Sequence, residues 1–76
     1  MILAREVGSR WVVDGEVLCR ARRLVKMSME DVGRRCGWTR SYQHKLENNA
    51  MRSVKMETIE KLLRVFPMLT TQSTSD

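Results

Sequence analysis

Seventy-six residues allow one domain, and a chain this short buries only about 60 to 65% of its unfolded surface, so its core is small. Fourteen Lys and Arg against nine Asp and Glu leave a net charge of +5 and a pI near 9.9, a balance that suits a polyanionic partner. Two cysteines outside any CxxC pattern, a single histidine and no long apolar run argue against a disulfide framework, a zinc site, a signal peptide and a membrane span.

Residues 1–13, MILAREVGSRWVV, are rich in β-formers and are broken by Gly8 and Ser9, so this segment is extended or a hairpin. Three readings compete. It is a strap packing Trp11 and Val13 on the core, a strand for a second subunit, or a basic arm that places Arg5 and Arg10 in a minor groove.

Asp14 is a good cap for a helix from Gly15 to Lys26, where Val17, Leu18, Ala21, Leu24 and Val25 draw one apolar stripe. Its Arg20, Arg22, Arg23 and Lys26 form the opposite face. Cys19 and the later Cys36 fall at apolar positions and read as buried thiols. His44 is the single histidine and has no paired acids near it in sequence, which leaves too few ligands for a zinc site and no base for a cysteine nucleophile. The expected cofactor complement is none, and the chain is not expected to be an enzyme.

Ser28 followed by Asp31 forms a capping-box start for a second helix, which carries Val32 and Cys36 inward and stops at Gly37. Thr39 then caps a third helix, where Tyr42, Leu46 and Ala50 recur every four residues and Arg40, Ser41, His44, Lys45 and Asn48 look outward. Asn48 and Asn49 suit its end. Met56, Ile59, Leu62, Leu63 and Phe66 mark a fourth, core-facing helix that Pro67 terminates. The methionines Met27, Met29 and Met56 read as flexible core filler. Residues 67–76 read as a polar tail. The expected fold is all-α, a small bundle of four to five helices behind an extended or β N-terminal segment, with residues 14–66 as the working domain.

Two short helices joined by a glycine-containing turn, the second with a basic outer face, make the helix-turn-helix arrangement. The stretch resembles the phage repressor and Cro-type regulators, also called the xenobiotic-response-element family. Met27, Ser28, Glu30, Asp31, Val32, Gly33, Gly37, Trp38, Thr39, Leu46, Glu47 and Asn49 stand at positions of the family pattern, and the likeness covers roughly residues 15 to 66. It departs at Met29, where many relatives carry a phosphate-binding glutamine, and at Gln43, where they carry an apolar core residue. The resemblance implies a lambda-repressor-like bundle, a bidentate pair between Arg22 and Glu47, and a left-handed Asn49 in place of glycine. It also implies base contacts from Arg40, Ser41 and Lys45.

The leading functional expectation is a sequence-specific regulator that binds double-stranded operator DNA in the cytoplasm of a bacterial or phage-infected cell. A lone recognition helix spans few base pairs, so a homodimer is expected at least on DNA. DNA-contacting candidates are Arg40, Ser41, Lys45, His44, Gln43, Thr39, Asn48 and Arg52. Two alternatives stand beside this: an antitoxin whose residues 1–13 or 67–76 hold a toxin, and a protein-interaction module on the same fold, suggested by Met29 and Gln43.

Overall fold

The computed structural model describes residues 1–50 and 53–73. In chain order it runs β1 (Ile2–Val7), β2 (Arg10–Val13), α1 (Gly15–Leu24), α2 (Met29–Cys36), α3 (Arg40–Glu47), α4 (Met56–Val65) and β3 (Thr70–Gln72). The helical part follows from local chemistry. Asp14 accepts from the N–H groups of Glu16 and Val17 at the head of α1. Ser28 and Asp31 exchange both bonds of a capping box at the head of α2, at 3.0 and 3.2 Å. Gly37, at φ 85°, ends α2 in the left-handed conformation that costs an L side chain most and glycine least. Thr39 accepts from Tyr42 N–H at 3.1 Å to open α3.

The fold is not all-α. Residues 1–13 form a hairpin, with Ala4 opposite Val13 and Val7 opposite Arg10, and β3 adds to its far side parallel to β1, giving a sheet of order β2-β1-β3. Thr70–Gln72 was expected as polar tail. It becomes a strand because Leu69, just before it, is buried in the core and delivers the two β-branched threonines beside Ile2 and Ala4. No fifth helix occurs among the described residues. The core joins both halves, with Leu3, Ala4, Trp11 and Val13 from the sheet packed with Leu18, Ala21, Val32, Leu46, Ile59, Leu62 and Phe66 from the helices.

Several sequence expectations are corrected. Helix α1 stops at Leu24 rather than Lys26, because Val25 already serves as its C-cap and Lys26 turns to φ 56°. Leu24 is then 70% exposed and Val25 also lies outside, so the apolar stripe ends at Ala21. Met56 is exposed at the first turn of α4, Met29 is only half-buried, and Ala50 lies past the end of α3 on the surface. Cys36 is buried, whereas Cys19 is partly accessible.

Candidate nucleic-acid interface

Helix α3 has two opposed faces. The inner one is Gln43, Leu46 and Glu47, all buried. This stripe shares Leu46 with the Tyr42, Leu46 and Ala50 line that the sequence suggested, but its centre is rotated from that line by about 50°. Tyr42 sits at its margin, edge-to-face against Trp38 with ring centroids 5.1 Å apart.

Gln43 does not join the outward set. It is fully buried, accepts the Trp38 indole N–H at 2.9 Å, and donates from its amide to Glu47 Oε2 at 2.9 Å. An amide at a core position is tolerable because both of its ends find partners inside the protein. Trp38 carried the one available signal, since a tucked-in indole N–H needs an acceptor nearby.

Arg22 closes this network from α1. Its Nε donates to Glu47 Oε2 at 2.7 Å and its Nη2 to Glu47 Oε1 at 3.0 Å, while Nη1 donates to the Met27 carbonyl at 3.0 Å. The side chains are 12% and 2% exposed, so this is a desolvated, bidentate ion pair. Burial pushes the Glu47 carboxyl upward, but the hydrogen bonds from Arg22 and Gln43 outweigh it and hold the group below the usual glutamate range. The same hydrogen bond to Glu47 raises the Arg22 guanidinium further. The ion pair therefore ties α3 to α1 and sets which face of α3 turns inward.

Asn49 fixes its far end. At φ 58° it takes the left-handed turn, and its Oδ1 accepts the Gly15 N–H at 2.9 Å. Gly15 is required there, because a Cβ would run into the carbonyls of Leu46 and Glu47. Nothing local in the sequence marks the Asn49–Gly15 contact, which spans 34 positions.

The outer face carries the remaining candidates. Arg40, Ser41, His44 and Lys45 are exposed and together line one shallow recess on α3. Among the described residues no carboxylate pairs with Arg40 or Lys45. Thr39 spends its hydroxyl oxygen on the helix cap. Asn48 is exposed but gives its amide to the His44 carbonyl at 2.8 Å. Arg52 lies outside the described residues. Lys26, Arg34 and Arg35 line a second open recess on α2 and the turn before it, where Arg34 is partly neutralised by Asp31 at 2.8 Å. The face is thus a row of free donors on a rigid helix, a geometry suited to phosphates and base edges.

A sequence model of the helix-turn-helix family matches residues 20–72, well over half of the chain. The chain belongs to the Cro/C1-type helix-turn-helix family. No curated protein and no solved structure matches it. Membership makes it a DNA-binding domain of a transcription regulator, from a family that is generally non-enzymatic. Within that family the α2–turn–α3 unit is the helix-turn-helix, and the β-hairpin lies ahead of the matched region. Among the described residues no group of three metal-ligating side chains converges, and no helix is long and apolar enough to cross a membrane.

Proposed function

We propose that the protein is a sequence-specific regulator that lays α3 in the major groove of operator DNA and acts in the cytoplasm as a homodimer on its site. The observation that carries this reading is the division of α3. Its inner face is immobilised by Arg22, Glu47, Gln43 and Trp38, while Arg40, Ser41, His44 and Lys45 face outward with no acidic partner among the described residues. Arg40 and Lys45 donate to guanine O6 and N7. Ser41 and His44 either read a base edge or hold a phosphate. Two copies about one helical turn apart give the site enough base pairs to be selective.

The departure at Gln43 does not favour an interaction module, because that residue is spent inside the core. Enrichment of bound duplexes from a random pool, followed by a salt titration on the winner, tests the reading. A shared motif and a slope of roughly −0.9 per neutralised phosphate are expected. Absence of enrichment together with a flat titration overturns it.

A further inference from the structure

The β-hairpin lies outside the family match, and its tip rests on the segment that follows the recognition helix. Trp11 and Val54 exchange both backbone hydrogen bonds, at 2.9 and 2.8 Å. Beside them Arg10 donates from Nε to Ser53 Oγ and from Nη2 to the Ser53 carbonyl, both at 3.1 Å and both at the surface. Ser53 is six residues past Glu47, the last residue of α3, so its Cα lies within about 22 Å of that end, whatever path the chain takes between them. A helix lying in a major groove, ~12 Å wide, has a phosphate backbone on either side of it.

Arg10 is also free to act. A guanidinium has five N–H donors in a planar fork, of which Ser53 occupies one on Nε and one on Nη2, leaving the edge between Nη1 and Nη2 open. Among the described residues no carboxylate pairs with it. The Ser53 hydroxyl accepts from Arg10 and keeps its own proton to donate. An arginine already held at its rear edge loses little freedom when an anion takes the front edge.

We infer that the hairpin is a second DNA clamp, in which Arg10, latched to Ser53, grips a backbone phosphate on the groove wall beyond the end of α3. It rests on the DNA-binding reading above and extends the contact surface to residues the family does not share. The clamp strengthens binding to all sequences alike and leaves base preference to α3, because phosphates carry no sequence.

The test is anisotropy titration of the selected duplex with the unmodified chain and with Arg10→Gln, after thermal melting has shown both folded. Loss of one phosphate contact makes the log–log salt slope shallower by about 0.9, so the unmodified chain loses about 3.5-fold more affinity than the variant between roughly 50 and 200 mM salt. Affinity for selected and scrambled duplexes should fall by one common factor. A scan with single methylphosphonate substitutions then locates the partner: one neutralised phosphate should weaken the unmodified chain and leave Arg10→Gln indifferent. Should Arg10→Gln not fold, Arg10→Lys replaces it in the scan, and a reduced penalty at one phosphate is expected because the charge stays while the fork is lost. An unchanged slope, or no phosphate whose effect depends on residue 10, overturns the clamp while leaving DNA binding intact. If the unmodified chain itself shows no salt-dependent duplex binding, the parent reading fails instead.

Discussion

Gln43 and Glu47 sit one helical turn apart, and the amide of the first donates to the carboxylate of the second at 2.9 Å inside the protein. The carboxylate also receives the Arg22 fork, so its desolvated oxygens are answered on both sides. Truncating Glu47 strands the Arg22 charge in a largely dry site, and Glu47→Ala is expected to cost on the order of 3 kcal/mol. Gln43→Ala removes a neutral link and leaves the Trp38 N–H without its acceptor, for about 1 to 3 kcal/mol. Urea denaturation of the two variants checks the order. Equal and negligible losses would show that the network does not hold α3.

Acid should act through the same carboxylate. The folded Glu47 group titrates below its ordinary value of 4.5, so between those two values the unfolded chain binds more protons than the folded one. Stability from this group is then fully present above about pH 4.5 and is lost as pH falls through the folded value. Denaturation midpoints measured down this window should decline in the wild type and flatten in Glu47→Gln. A wild-type profile as flat as the variant's would contradict the depressed carboxyl.

On the outer face the expectation is reversed, with binding changed and folding not. Arg40→Ala and Lys45→Ala remove exposed side chains, so melting temperatures should stay within the scatter of surface substitutions. Each should cost about 1 to 3 kcal/mol on the preferred duplex and relax preference at one base position. A uniform loss across sequences would reassign that residue to a phosphate, and no loss for either would remove α3 as the reading element.

Leu3 tests whether the sheet belongs to the core. It is fully buried near the start of β1, and Leu3→Ala should cost about 2 to 5 kcal/mol. Calorimetry should still show one transition, because sheet and helices share a single core. A cost below about 0.5 kcal/mol would mean that the hairpin is only loosely attached.

Gly15 tests the fit between α1 and the exit of α3. A methyl group there meets the carbonyls of Leu46 and Glu47, and overpacking of this kind costs about 1 to 3 kcal/mol. Gly15→Ala should also lose DNA affinity, because the displaced element is the recognition helix. Unchanged melting and binding would show that the two segments separate easily.

How far the sequence could be read tracks the range of the forces involved. The three opening helices were visible because Asp14, Ser28 with Asp31, Thr39 and Gly37 act on their own neighbours. The ion pair of Arg22 with Glu47 came from family resemblance, since no local pattern joins residues 25 positions apart. Gln43 was misplaced because a polar side chain reads as outward until its partners are known, and those lie on Trp38 and Glu47. Leu24 was misread because periodicity does not say where a helix stops. β3 escaped because three residues hold too little alternation to mark a strand, and the partner of Thr70 is Ile2 at the other end of the chain.

That last pairing turns the whole reading unit into a crossover. Between β1 and its parallel neighbour β3 lie β2 and helices α1 to α4, so the sheet cannot close until nearly the entire chain has been gathered. Closing so large a loop draws its entropy cost early, before long-range contacts repay it, whereas α2 and α3 are neighbours in sequence. The helical pair should therefore condense first and the strand at residues 70–72 dock last. In hydrogen exchange the Thr70 amide, bonded to the Met1 carbonyl, should accordingly open more often than the amides of α1.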